Sequence, residues 1–370
     1  MPTPTPSDIR FSADDEFDWE IKRVIGLSFG GGADLGAVLA ATAGVGEGDH
    51  AEWFRAWHSL AQRTADTAHL EESAGRRVSA AGGYLRASVA YDVAVQAASA
   101  LENPAETSLT FREQRDAWDS FVACTPADVE RVDIPCGSGS LPGWLFRVAS
   151  PARRRTLVVV NGSRGSLAAL WGSVGAAAHA QGYDVLLFDG PGQQSQLFER
   201  GIPCRPDWEH VLTPVFDYLA ARDDVASERI CVYGVGQGGY WVARALAFEH
   251  RFAAGVVDPG VVEAATRADE LETVAGAIVT PLLIMSAEDE QIWPGQSDRL
   301  AAMTPGISTL FRFTAAEGAS GHGQPLARAL TAERMFAWLD ERLSRSTARE
   351  RTKSDRALWR RRRDLNPRSP

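Results

Sequence analysis

Cysteine is scarce in this sequence and scattered where it occurs. Cys124, Cys136, Cys204 and Cys231 are the only four, without CxxC spacing. That excludes a disulfide framework or a cysteine zinc cluster and makes a reducing cytoplasm the expected setting. No apolar run approaches the ~18 residues of a membrane span, so no membrane association is expected. The stretch Met1 to Ser7 has neither a basic start nor an apolar core, and a secretory signal is not expected. No internal repeat is visible. The net charge of −10 leaves no basic footprint on the body of the chain, which argues against nucleic acid as a main partner. Positive charge gathers instead between Ser344 and Pro370, where ten Lys/Arg face three Asp/Glu. Arg360-Arg-Arg-Arg363 could touch nucleic acid or an acidic membrane, but a disordered tail over 344–370 is the expected state.

What is present reads as a globular protein: 45% hydrophobic, 23% charged and 370 residues long, enough for one large domain and a smaller one. After a Pro-rich, disordered start over 1–12, the pattern is helical. Trp53, Trp57, Leu60 and Thr64 recur at helical spacing, as do Tyr84, Leu85, Ser88, Tyr91 and Val95. A helical domain over 13–125 is expected, its aromatic stripe forming core. Near Val129 the period shortens to two, and a hairpin of Val129–Ile134 and Leu141–Val148 follows. Strands Thr156–Asn161, Asp184–Asp189, Arg229–Gly234, Ala253–Asp258, Pro281–Ser286 and Ser308–Phe313 then alternate with helical stretches. Those stretches are Ala168–Gln181, Trp208–Arg222, Gly239–His250, Gly295–Met303 and Pro325–Leu343. Apolar strands such as Val158-Val-Val160 suit a mostly parallel sheet with helices on both faces, over 126–343. Right-handed crossovers bring the loops after these strands to one edge.

Those loops hold the unusual residues. They are Gly162-Ser163-Arg164-Gly165, Asp189-Gly-Pro-Gly-Gln-Gln194, Gly234-Val-Gly-Gln-Gly-Gly239, Met285-Ser-Ala-Glu-Asp-Glu290 and Glu317-Gly-Ala-Ser-Gly-His322. Elbow, then acid, then histidine is the chain order of the α/β-hydrolase triad. A sharp strand-to-helix turn needs small neighbours, which Gly234, Gly238 and Gly239 supply. The helix after it aims N–H groups and its positive dipole end at the reacting oxygen. One oxyanion donor is expected from the Gln237 backbone and the other from the Gly162-Ser163 loop. His322 suits a general base, and a carboxylate would fix its tautomer.

The run from Asp189-Gly-Pro-Gly-Gln-Gln194 through Trp208, with Tyr233-Gly-Val-Gly-Gln-Gly-Gly-Tyr-Trp241 and Ala245-Leu-Ala-Phe-Glu-His250, resembles a bacterial branch of the α/β-hydrolases. That branch is related to 2,6-dihydroxypseudooxynicotine hydrolase and to fungal polyketide-shortening (heptaketide) hydrolases of pigment synthesis. The resemblance extends over roughly 11–343, with the elbow its most specific part. It implies hydrolysis of ester-like bonds, or of C–C bonds beside a ketone, by a Ser–Asp–His triad without cofactor, under an N-terminal helical cap domain. It places Gly236 at the serine position, Glu290 at the acid, four residues before Pro294, and His322 at the base. Asp289 is the alternative acid. A glutamate there departs from the family, as does Gly323, where relatives often carry cysteine.

Glycine at position 236 has no nucleophilic atom, and losing a triad nucleophile costs about a million-fold in rate. Three readings stay open: a hydrolase disabled by Ser→Gly, a divergent enzyme using the His322/Glu290 dyad and oxyanion hole for hydrolysis, cyclisation or lyase chemistry, and a non-catalytic ligand-binding protein. Ser163 and Ser195 could substitute as nucleophiles, though a loop turn and an N-cap explain them as well. Gly234–Gly239 also satisfies GxGxxG, with Asp258 at the end of the next strand. That would suit a dinucleotide, yet it leaves Asp189, Glu290 and His322 unexplained. Tyr240 could reach a pocket and Asp189 could shape it, although the Asp189 side chain more simply holds its own Gly-Pro-Gly turn. Trp208 and Trp241 are expected to pack; His179, His210 and His250 are expected at the surface or as caps. The expected ligand is a small carbonyl compound, with no metal or cofactor; a homodimer is left open.

Overall fold

The computed structural model describes residues 9–101, 103–163, 165–258 and 268–344. Most of the Pro-rich start and of the basic tail lies outside them. The helical half begins with α1 (Asp15–Gly26), α2 (Leu35–Thr42), α3 (His50–Ser73), α4 (Arg77–Ala98) and α5 (Pro104–Cys124). Short polar side chains start four of these helices. Asp14, Asp34, Asp49 and Asn103 each accept a backbone N–H of the first turn, offsetting donors that lack partners there. The expected stripe is core: Trp53, Trp57 and Leu60 are buried on α3, as are Tyr84, Leu85, Ser88, Tyr91 and Val95 on α4. The α3, α4 and α5 helices pack side by side.

The second half is built on β1 (Asp128–Cys136), β2 (Gly139–Arg147), β3 (Arg154–Val160), β4 (Asp184–Phe188), β5 (Val225–Gly234), β6 (Ala254–Val257), β7 (Leu282–Ala287) and β8 (Ser308–Phe313). They form one sheet in the order β1-β2-β4-β3-β5-β6-β7-β8. The β1–β2 and β2–β4 pairs are antiparallel and the rest parallel. The first crossover from β3 goes one way to β4 and the next returns past it to β5. The carboxyl ends of β3 and β5 therefore meet where the sheet changes direction. Alternation divides the strands between two cores. Leu157 and Val159 face a core shared with the N-terminal helices, whereas Val158 and Val160 face one built with Trp208 and Trp241. Those two indoles stack 4.3 Å apart, both fully buried.

The helices between strands are α6 (Leu167–Leu170), α7 (Ala176–Ala180), α8 (Gln194–Phe198), α9 (Glu209–Ala220), α10 (Gln237–Leu246), α11 (Ala268–Val274) and α12 (Gln296–Met303), and a last helix covers 328–344. Three differ from expectation, α11 being one that no expected stretch covered. The stretch read as one helix over Ala168–Gln181 is broken by a π-helical turn, Trp171–Gly175. Here Gly30 lets the backbones approach: a Cβ on it would lie 2.3 Å from the Gly172 carbonyl oxygen. The short α8 was not expected, because Gln194-Ser-Gln-Leu-Phe198 shows no apolar period. No helix among the described residues is long and apolar enough to cross a membrane.

Candidate active site

The elbow lies where β5 enters α10. Gly236 has φ 55° and ψ −125°, a left-handed bend that favours glycine. Its neighbours are glycines for a different reason. A Cβ on Gly234 would sit 2.3 Å from the Gly238 carbonyl oxygen, and one on Gly238 2.5 Å from that of Val160. Gly234 lets the first turn of α10 fold back on the end of β5, and Gly238 lets it press against the end of β3. A Cβ on Gly236 would meet nothing within 4 Å, so the bend itself faces open space.

Glu290 and His322, the expected acid and base, are brought together. The fully buried strand β7 ends at Ala287, and a positive-φ turn at Asp289 (58°) swings Glu290 inward. Glu290 Oε1 accepts the Ile292 and Trp293 amides at 2.9 and 3.0 Å. The His322 Nδ1 lies 2.9 Å from Glu290 Oε2 and 3.1 Å from Oε1. A carboxylate can only accept, so Nδ1 carries a proton, and in the neutral ring Nε2 has the lone pair. Among the described residues Nε2 has no hydrogen-bond partner. Burial would push the Glu290 carboxyl up, but the His322 hydrogen bond and charge, with the two amides, hold it below the usual carboxylate range. Asp289, the alternative acid, is exposed and makes no such contact.

The His322 loop is tied down on several sides. Its Gly321 amide donates to the Glu288 carbonyl at 2.8 Å, and Gly321, Gly323 and Gln324 all have positive φ. The Trp19 ring of α1 lies 6.0 Å from the imidazole. Further along α1, a Cβ on Gly26 would collide with the Pro325 carbonyl. The N-terminal helix thus rests directly on the loop that carries the base.

On the oxyanion side, a Cβ on Gly162 would lie 3.8 Å from the Gln237 nitrogen, so the loop after β3 borders the first amide of α10. The Gly162 amide itself donates to Asn161 Oδ1 at 2.9 Å, which leaves Ser163, exposed on the same loop, as the neighbouring donor. Gln193 braces this edge: its Oε1 accepts the Gly190 amide at 2.8 Å and its Nε2 donates to the Asn161 carbonyl at 2.8 Å. Sequence reasoning missed Gln193, since nothing in a polar loop shows which amide is buried.

Asp189 departs from expectation. Instead of holding its own Gly-Pro-Gly turn, its Oδ2 accepts the Ser195 hydroxyl and the Arg115 guanidinium of α5, each at 2.5 Å. That bond occupies the Ser195 hydroxyl. Asp258 is 1% exposed and lies among Tyr233, Gln324 and Arg328, so its carboxylate is already occupied where a ribose would need it. Tyr240 is buried at 4% exposure. His250 hydrogen-bonds the Ala247 carbonyl at the end of α10, His179 reaches that of Arg147, and His210 is exposed.

No protein-family model matches the chain. It is 34% identical over 266 residues to hydrolase acrC of Aspergillus aculeatus, a match covering 64% of this chain and 60% of that one. Hydrolase pyiE of Pyricularia grisea is 31% identical over 266 residues, covering 66% of this chain and 57% of that protein. The match thus spans less than two thirds of the length of these relatives. The structure superimposes on the crystal structure of 2,6-dihydroxy-pseudo-oxynicotine hydrolase with a TM-score of 0.72 at 18% identity, covering 86% of this chain and 95% of that chain. The resemblance read from the elbow is therefore sound. The chain thus has the α/β-hydrolase fold seen in 2,6-dihydroxy-pseudo-oxynicotine hydrolase, and in sequence it is similar to the fungal hydrolases acrC and pyiE.

Proposed function

We propose that this protein acts on a small carbonyl compound, either an ester-like bond or a C–C bond beside a ketone, by general-base chemistry without a protein nucleophile. One observation carries the reading. His322 is held by Glu290 through Nδ1, so its Nε2 is available, while residue 236 offers no side chain to be deprotonated. The base would instead take a proton from water or from the substrate, and Glu290 would stabilise the imidazolium that forms. The Gln237 and Ser163 amides would receive the developing oxyanion, helped by the positive end of α10. The region 13–125 would cap the site of the hydrolase domain over 126–343, with Trp19 beside the base, and Tyr240 and Asp189 would shape it from below and beside. No metal or cofactor is needed for these steps.

A second reading rests on Gly236 itself: a hydrolase pocket that lost its nucleophile and now binds ligand without turnover. Short-chain aryl esters separate the two. The unaltered chain is expected to hydrolyse them weakly, Gly236→Ser at a rate at least about a hundredfold higher, and His322→Ala in either background not at all. Weak turnover that survives His322→Ala would refute general-base catalysis. Turnover absent from the unaltered chain but strong in Gly236→Ser would favour the silent pocket.

A further inference from the structure

A buried charged group next to His322 has no part in the chemistry above. Asp258 follows β6, and its amide donates to the Gly234 carbonyl at 3.0 Å, fastening it to the elbow strand. Its Oδ1 accepts Gln324 Nε2 at 3.3 Å; its Oδ2 accepts the Tyr233 hydroxyl at 3.3 Å and lies 3.6 Å from Arg328 Nη1. The same Arg328 nitrogen donates to the Gly323 carbonyl at 2.8 Å. Asp258 and Arg328 thus grip the two residues that follow His322, and one of them, Gln324, is a non-glycine at φ 45°. Strain of that kind persists only where the surroundings over-determine it.

Stability alone is a poor reason for this arrangement. Gln324 Oε1 and Arg328 Nε are buried without a partner among the described residues. A buried ion pair so incompletely satisfied is commonly no better than apolar packing of the same volume. Arg328 is the only cation in ion-pair reach of Asp258 among the described residues. Burial pushes the Asp258 carboxyl up, against the charges of Arg328 and His322.

We propose that Asp258 and Arg328 form a positioning pair that sets the orientation and proton affinity of His322, joining the base loop to the elbow strand. This rests on His322 being the base of the proposed reaction. Around the imidazole stand Glu290 at Nδ1, the Trp19 ring from α1 and Asp258 at the end of β6, with Arg328, the first residue of the last helix, paired to Asp258 behind the loop. Removing the Asp258 charge makes the imidazolium harder to form. Removing the pair releases the loop.

Two readouts test this. In the full-length chain labelled with 15N-histidine, with His322 assigned by His322→Gln, Asp258→Asn is expected to lower the imidazole pKa by about half a unit or more. Because Asp258→Asn strands a buried guanidinium, Asp258→Asn/Arg328→Met removes both charges and keeps the volume. In the Gly236→Ser background that double variant should lose about tenfold or more in kcat on an aryl ester with KM unchanged. Circular dichroism checks that each variant is folded. A folded Asp258→Asn protein with an unmoved His322 titration overturns the proposal, as does a double variant with parental kcat. Esterase activity absent from Gly236→Ser, with a shifted His322 titration, would sink the catalytic reading and leave the pair standing.

Discussion

At the scale of single residues, three glycines within five positions answer two different needs. Gly234 and Gly238 are fixed by contact and Gly236 by its backbone angle. Substitutions should separate the two causes. Gly236→Ser places a side chain where nothing lies within 4 Å, so only left-handed strain opposes it, on the order of 1 kcal/mol. Gly238→Ala drives a methyl to 2.5 Å from the Val160 carbonyl oxygen, against backbone that cannot yield cheaply, and should cost about 3 kcal/mol or more. Urea midpoints of the two variants measure this. Equal midpoints would mean that α10 does not press on β3 as described. Glycine is thus the residue that holds the bend at position 236 with the least backbone strain.

At the scale of elements, α4 is the most deeply packed helix in the N-terminal half, and it carries a carboxylate. Asp92 is wholly buried, 3.5 Å from an Arg23 nitrogen that also pairs with Glu20. Burial outweighs Arg23 and raises the Asp92 carboxyl to about 7. Unfolded, the same group ionises near its ordinary 3.8. Between these values the folded state binds more protons, so stability falls as pH rises from about 4 to about 7. Asp92→Asn should remove that slope and stabilise the protein above neutrality by on the order of 1–3 kcal/mol. Thermal unfolding at pH 5 and pH 8 tests it: an unchanged slope in the variant would show that Asp92 is ionised throughout.

The elements themselves were largely legible in the sequence, and the reason is periodicity. Strands such as β3 and β7 are apolar because both faces are covered, and α3 shows its stripe. Glu290 and His322 were legible because a known motif orders them along the chain. What stayed hidden depends on tertiary neighbours. Gln193, Arg115 and Arg328 look like ordinary surface residues until the fold buries them. Likewise Asp258 was singled out beside a glycine-rich turn, but the arginine that neutralises it lies 70 positions later in the chain. The break in the helix after β3 lies where Gly30 approaches Gly172, a tertiary contact that no local pattern announces.

For the whole molecule, the question is how firmly the helical half is fixed to the sheet. One fastening is the ion pair of Arg115 with Asp189, its guanidinium also stacked 5.0 Å from the Trp144 ring. Asp189 is 1% exposed, so Arg115→Met would strand a buried carboxylate and should cost about 3–5 kcal/mol. If the fastening also serves the site, hydrogen exchange should rise at Gly190–Gln196 and in the neighbouring Gly162 loop, which Gln193 bridges. A melting temperature within experimental error of the parent would show that the two halves are held together elsewhere.

The contact between Gly26 and Pro325 has a bearing on biosynthesis. These residues stand about 300 positions apart, and contacts of such long sequence separation form late. A ribosome releases α1 long before the loop it must rest against has been translated. The first helix can stack Phe17 on Trp53 of α3 early, but its contact with Pro325 waits until almost the entire polypeptide has emerged. A stop codon that spares the sheet but removes residues 321–325 would therefore leave α1 without the loop it rests against.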